Sequence, residues 1–368
     1  MHICKYIEYP NPFELVNHAN YKKVNGHKDA KYFYQCSKCY LITMKYKNMQ
    51  KHLSKYYKET YEKIRRTNHI HHSSNSKKTI SAYDSVAKSL EKKMNLNKKN
   101  ILDIGCYDGR LIHSIMKISK KSNFNGFDTQ NYFKTQKQEL LTEQKYIFTN
   151  HLRLKKKFDI ITDLNTFNYI PNLRKHILKL KKLLDKNGKI YIHAVNTKTN
   201  PFHLLHGDQY RYLTPVSINN LLNDYGFSCK IFNKDKRNFE VIAHLDNKKK
   251  LKFLKDEVVS EKIEYLLGVR KKIHNFIDNH KEKARKVIIF GTTLNASFVL
   301  KCMIEKKITP LGFVDENPFR QGKKFLGLKT FSPKFLDKKS FIFLPYGKTN
   351  NYIYNKLNKT YNFKIITL

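Results

Sequence analysis

Residues 101–109 read ILDIGCYDG, and the fold follows from this stretch. The apolar run Ile101-Leu102-Asp103-Ile104 ends in a tight turn from Gly105 to Gly109, and the segment RLIHSIMKISK follows at once. Within it Leu111, Ile112, Ile115, Met116 and Ile118 recur at helical spacing on one face. Strand, turn and helix therefore come in that order. Further on, FNGFDTQ supplies a second apolar strand with Asp128 at its tip. A glycine turn followed by an acid at the end of strand two is the layout of a nucleoside-binding β-α-β unit.

The turn's side chains separate two classes of nucleoside. A dinucleotide site needs G-x-G-x-x-G, with a bare middle glycine so that the pyrophosphate can approach the backbone. Here the middle position is Tyr107, and Asp103 and Asp108 flank the turn. Carboxylates and a phenol would repel and block a diphosphate. S-adenosylmethionine (SAM) has no phosphate; its ribose hydroxyls, amino group and sulfonium all suit acids. Asp103, Gly105, Cys106, Tyr107, Gly109 and Asp128 are therefore the candidate SAM residues. Gly105 and Gly109 let the backbone pass close to the ligand, and Asp128 accepts the ribose hydroxyls. The bland alternative is a degenerate nucleotide-fold turn that holds nothing.

At 368 residues the chain has room for two or three domains. A hydrophobic content of 40% and an aromatic content of 13% suffice for real cores. No apolar run approaches the roughly 18 residues of a membrane helix, and the N-terminus MHICKYIEYPNP lacks the apolar core of a signal peptide. A soluble, cytoplasmic, reducing setting is expected, in which six Cys are thiols or metal ligands rather than disulfides. The net charge of +42 invites a nucleic-acid reading. Yet only ten of the 72 basic residues are Arg, and the lysines are spread along every segment. Phosphate and base recognition favour Arg forks, so the charge fits attraction of small anionic substrates better.

An α/β chain of five segments is expected. Residues 1–60 are Tyr-rich and carry Cys36-Ser37-Lys38-Cys39, a pair that can present two thiolates to one tetrahedral zinc. Cys4 and one of His2, His18 or His27 are candidates to complete the site; two buried thiols without metal is the alternative. A helix through LSKYYKETYEKI leads away. Residues 61–98 form a linker in which His69-Ile70-His71-His72-Ser73-Ser74-Asn75-Ser76 reads as a loop and Ser81–Met94 as a helix. Residues 99–245 alternate strands (101–104, 124–127, 146–148, 158–164, 189–195) with helices. The helix after Pro171 is expected to stop at Gly188; a helix over 217–225 and two closing strands, SCKIFN and FEVIAHL, follow. Residues 246–285 read as a Lys-rich helical connector. Residues 286–368 begin a second Rossmann-like unit, VIIFGTT to GFVDENP, whose turn lacks two of the three dinucleotide glycines; packing suits it better than a second nucleotide.

The central unit resembles class I SAM-dependent methyltransferases. IGCYDGRLI looks like the I-G-x-N-D-G-x-L segment of nucleotide-sugar C-methyltransferases, and Asp163-Leu164-Asn165-Thr166-Phe167-Asn168-Tyr169-Ile170-Pro171 is similar to that family's strand-four segment. The family also carries an N-terminal zinc module like residues 1–60 and a C-terminal nucleotide-fold domain like VIIFGTT…GFVDENPFRQGKKFLGLKTFSP, in the same order. The resemblance implies SAM as cofactor, a structural zinc in the N-terminal module, for which His2, Cys4, Cys36 and Cys39 are the candidate ligands, and an anionic sugar or nucleotide-sugar acceptor. It departs in the family's His-Glu-His run before Tyr-Phe-Thr-Pro. Here the stretch is His206-Gly207-Asp208-Gln209-Tyr210-Arg211-Tyr212-Leu213-Thr214-Pro215, with Asp208 on the Glu position. Tyr169 stands where the family has a His, and one usual cysteine is missing.

C-methylation beside a carbonyl needs a base, so with these departures C-, O- and N-methylation stay open. Asn165 is expected at the tip of strand four beside the methyl, and Tyr169, His206, Asp208 and Tyr210 on the substrate side. Three functions compete: a methyltransferase for a small anionic substrate, an RNA or other nucleic-acid methyltransferase, and a non-catalytic assembly protein that kept the fold.

Overall fold

The computed structural model describes residues 4–17, 23–24, 27–57, 70–72, 79–129, 146–149, 156–246, 253–345 and 350–367. They form two compact units. One comprises Met1–Pro12, Lys28–Asn200 and Asp208–Glu257; the other comprises Phe13–His27, Pro201–Gly207 and Val258–Leu368.

In the first unit the strands are β1 (Tyr6–Pro10), β2 (Tyr32–Cys36), β3 (Ile42–Met44), β4 (Ile70–His72), β5 (Thr79–Ser81), β6 (Asn100–Ile104), β7 (Asn123–Phe127), β8 (Tyr146–Thr149), β9 (Phe158–Leu164), β10 (Leu184–Val195), β11 (Arg211–Tyr212), β12 (Phe227–Phe232) and β13 (Asn238–Leu245). The central sheet has the order β12-β13-β10-β9-β6-β7-β8. β6 to β10 run parallel, and β13 is antiparallel to both β10 and β12. Successive residues in a strand point to opposite faces, and both faces are covered. Ile101, Ile160 and Tyr191 pack with Leu90 and Ile112 of the helices Ala82–Lys93 and Arg110–Ile118. Their neighbours Leu102, Ile161 and Ile190 pack with Ile177, Leu180 and Leu221 of the helices Leu173–Leu183 and Pro215–Asp224. Burial on both faces is why these strands read as continuous apolar runs. The chain order steps outward in opposite directions from β6, to β7 on one side and β9 on the other. That leaves a crevice at the carboxyl ends of β6 and β9.

Several expectations shift. The helix after Pro171 ends at Leu183, and Gly188 lies inside β10, where the register slips between Leu184 and Lys189. A Cβ on Gly188 would stand 2.7 Å from the Phe158 carbonyl oxygen, so this glycine serves close strand approach, not helix termination. The helix read over 217–225 begins at Pro215, because Thr214 caps it in a box with Ser217. The histidine-rich stretch read as a loop forms β4, antiparallel to β5; residues 69 and 73–76 lie outside the described residues. The helix expected over 53–64 is present at Met49–Tyr56, and 58–64 lie outside the description. The N-terminal sheet, β1-β2-β3-β11, takes its last strand from residues far along the chain.

In the second unit the strands are β14 (Val287–Phe290), β15 (Gly312–Val314), β16 (Lys324–Phe325), β17 (Leu328–Phe331), β18 (Phe341–Leu344) and β19 (Lys364–Thr367), ordered β16-β17-β15-β14-β18-β19. The pairs are parallel except β16 with β17. The 246–285 segment is largely the helix Val259–Asn279, whose Leu266, Ile273 and Ile277 are buried in this unit's core with Phe13, Phe202 and Leu205. Asp315, at the acid position of this second β-α-β unit, is filled by the chain itself. Its Oδ2 accepts from Thr292 N at 2.9 Å, Thr292 Oγ1 at 2.7 Å and Arg320 Nη1 at 3.2 Å. That is a packing arrangement. Among the described residues no helix is long and apolar enough to cross a membrane.

Candidate active site

The glycine turn sits at the carboxyl end of β6. Gly105, Tyr107 and Gly109 have φ of 70°, 49° and 78°, so three of five turn residues are left-handed. Glycine takes that conformation freely; Tyr107 takes it under constraint, its N–H donating to Asp128 Oδ2 at 3.0 Å. The bond fastens the first turn to the tip of β7. Gly105 N and Cys106 N both donate to the Phe127 carbonyl, at 2.7 and 3.1 Å.

The space beside Gly105 belongs to the protein. A Cβ there would stand 2.0 Å from Thr166 Oγ1. The residue is glycine because the loop after β9 packs against it, a correction to the expectation that a ligand needs the room. Asp108 likewise pairs with Arg110, Nε to Oδ2 at 2.7 Å. Asp103 is buried and accepts from Thr162 Oγ1 at 2.7 Å. Burial pushes its carboxyl up to about 7, opposed by the Thr162 bond and reinforced by the Asp128 charge.

The loop after β9 is held by Asp163, which opens the strand-four segment but carries no motif role in the sequence. Its Oδ1 accepts from Thr166 N at 2.9 Å and Phe167 N at 3.1 Å. Burial pushes this acid up to about 8, against those two bonds and with the Asp103 charge adding. Its Oδ2 is buried without a hydrogen-bond partner. Asn165 follows in a left-handed conformation, φ 60°, with its N–H on the His193 carbonyl at 2.8 Å. Its Oδ1 is also buried and without a partner. Two unsatisfied buried oxygens beside a strained asparagine are unusual outside ligand sites. The sequence signal was an acid inside the apolar run FDIITDL.

Beyond this loop is a cluster of phenols. The Tyr169 ring meets the Tyr57 ring edge-on, centroids 5.5 Å apart, and Tyr57 Oη donates to the Asp208 carbonyl at 3.1 Å. Tyr210 N donates to the Asn168 carbonyl at 2.9 Å, and Gln209 Oε1 accepts from Asn168 Nδ2 at 3.1 Å. Asp208 is fully buried. Its charge, after burial, holds the phenols of Tyr46 and Tyr212 up. Arg211 donates to the carbonyls of Ile170 and Pro171, closing the loop's far end. Tyr169, Asp208 and Tyr210 thus share one unit and one segment-to-segment contact, joined by Tyr46 and Tyr57, which had no motif to mark them. His206 belongs to the other unit, bridged to Val16, with its ring 5.6 Å from that of His203.

The sulfurs of Cys4, Cys36 and Cys39 lie within 4.8 Å of one another. Lys38 N and Cys39 N point at Cys36 Sγ, both at 3.5 Å, the turn that a two-cysteine metal hairpin adopts. Cys4 Sγ and Cys39 Sγ are 3.9 Å apart; two thiolates on one tetrahedral zinc stand about 3.8 Å apart. Hydrogen bonds from Cys36, Cys39 and Arg174 pull the Cys4 thiol down toward thiolate. His2 lies outside the described residues.

A family profile described as Methyltransferase domain matches residues 47–230, half of the chain. No curated protein matches. Among solved structures, magnesium protoporphyrin IX methyltransferase from Synechocystis PCC 6803, with bound SAH, is 19% identical at a TM-score of 0.35, covering 44% of this chain and 80% of that one. Glycopeptide N-methyltransferase is 12% identical at 0.36, covering 44% and 90%. Human N-acetylserotonin methyltransferase, in complex with SAM, is 16% identical at 0.39, covering 45% and 54%. The profile match spans β6, its glycine turn, β9 and the Asp208 segment together, and the chain belongs to the methyltransferase domain family as a SAM-dependent enzyme.

Proposed function

We propose that the acceptor is a small, oxygen-rich, anionic molecule of the sugar or nucleotide-sugar class. When bound, SAM supplies an electrophilic methyl on a sulfonium. The residues suited to hold it are Asp128 for the ribose hydroxyls, the Gly105–Gly109 backbone, and Asn165, whose buried Oδ1 lacks a partner. The observation that carries the acceptor reading is Tyr57, which touches both Tyr169 and the Asp208 carbonyl. Through it the loop after β9 and the 208–212 segment meet, with Tyr57 and Tyr169 at the contact and the buried Asp208 charge acting on Tyr46 and Tyr212. Phenols stack on sugar rings and donate to their hydroxyls, and a carboxylate among them can take up a proton that leaves the acceptor. The site's part in the reaction is alignment of the nucleophile.

The test is transfer from methyl-labelled SAM to a pool of phosphorylated and nucleotide sugars, with total RNA in parallel. Label in the sugar fraction, reduced at least tenfold in Tyr169→Phe or Asp208→Asn with SAM affinity kept, is expected. Label in RNA alone, or none in sugars from a protein that binds SAM at micromolar levels, would reject the reading. The same reading places a structural zinc on Cys4, Cys36 and Cys39. Cys36→Ser should then lose one equivalent of protein-bound zinc.

A further inference from the structure

We propose a second metal site, in the C-terminal unit, formed by His274, Cys302 and Glu305 and selective for zinc-like divalent ions. The three come from two packed helices. Cys302 and Glu305 stand three residues apart on Leu294–Glu305 and so share a face; His274 projects from Val259–Asn279. One ligand atom from each lies within 4.8 Å of the other two. Sulfur, imidazole nitrogen and carboxylate oxygen together suit a borderline-soft ion and no alkaline-earth one.

Two further features fit a metal better than a simple ion pair. His274 Nε2 is buried and makes no hydrogen bond, standing 3.3 Å from Glu305 Oε2. Arg270 Nε holds that same Oε2 at 2.9 Å. The guanidinium thereby orients the carboxylate from outside, the role that outer-shell partners play at metal centres. Cys302 is buried while Glu305 reaches solvent, so the site has an inner soft ligand and an open outer side. Three protein ligands with one open position is the arrangement of an exchangeable zinc site rather than a closed structural one. The zinc-like ion would pin the Val259–Asn279 helix to the Leu294–Glu305 helix.

The experiment uses the full chain, stripped with chelator and titrated with Co²⁺ in place of zinc, followed by zinc counting. Wild type should bind one equivalent more than Cys302→Ser and Glu305→Gln. Both variants should also lose part of the thiolate-to-cobalt charge-transfer absorption, Cys302→Ser more completely. Because Glu305 is exposed, Glu305→Gln keeps the test valid if Cys302→Ser fails to fold. Cys36→Ser should retain the C-terminal equivalent, which separates this site from the N-terminal cysteines and from the acceptor reading. Equal stoichiometry and equal cobalt spectra in wild type and Glu305→Gln would overturn the proposal and leave Arg270, His274 and Glu305 as an ion-pair tie between helices.

Discussion

Gly105→Ala should abolish tight SAM binding, and Thr166→Gly should restore much of it. The added methyl meets Thr166 Oγ1 at 2.0 Å, Cγ2 at 2.8 Å and Cβ at 2.9 Å. None of these is a flexible chain end, since Thr166 is pinned by its N–H on Asp163 and its hydroxyl on the Ile104 carbonyl at 3.2 Å. Alanine at φ 70° also costs about 1–2 kcal/mol of backbone strain. Overpacking in a tight interior adds about 1–3 kcal/mol. The sum, about 2–5 kcal/mol, is relieved only by moving the loop that carries Asn165. The SAM dissociation constant should therefore rise at least about 30-fold. Thr166→Gly removes all three clashing atoms. In the double variant only the strain remains, so the two substitutions should couple by at least about 1 kcal/mol in a double-mutant cycle. Isothermal titration with SAM on the four proteins measures this. Binding by Gly105→Ala within twofold of wild type, or additive effects in the double variant, would refute the account of why residue 105 is glycine.

Asp128→Ala should weaken SAM at least tenfold and also free the Tyr107 N–H, whereas Asp128→Asn, which can still accept that bond, should lose less; titration calorimetry distinguishes them. Asp163, raised in the folded state to about 8 from an ordinary carboxylate value near 4, keeps its proton where the unfolded chain has lost it, so stability should fall as pH rises from about 4 to 8. Asp103, raised to about 7, adds to the same slope. Thermal melts across that range should show the decline in wild type and a flatter profile in Asp163→Asn; an unchanged slope would show that Asp163 titrates normally. Gly188→Ala should destabilise by about 1–3 kcal/mol through its contact with the Phe158 carbonyl, while Gly268→Ala, whose Cβ meets nothing within 4 Å in a helix interior, should stabilise by about 0.5–1 kcal/mol. Urea or thermal unfolding of the two variants that moved in the same direction would contradict both assignments.

The order of elements around ILDIGCYDG was legible because each local signal is short-range. Apolar runs covered on both faces, a glycine turn and an acid at the next strand tip need no distant partner to be read. What the chain could not announce were the pairings that only folding makes. Gly188 reads as a helix stop until Phe158 is placed against it. Gly105 reads as room for a ligand until Thr166, some sixty residues on, fills the space. Asp163 reads as one acid in a strand, and Tyr46 and Tyr57 as two of many tyrosines, until β9 and the 208–212 segment converge. Residues 13–27 and 201–207 join the C-terminal unit by contacts hundreds of positions apart in places, which no window of sequence contains. Periodicity and turn chemistry are properties of neighbouring residues, so the sequence specified the strands and helices. Burial and orphaned oxygens are properties of surfaces brought together, so the tertiary structure alone decided which side chains meet at the candidate site.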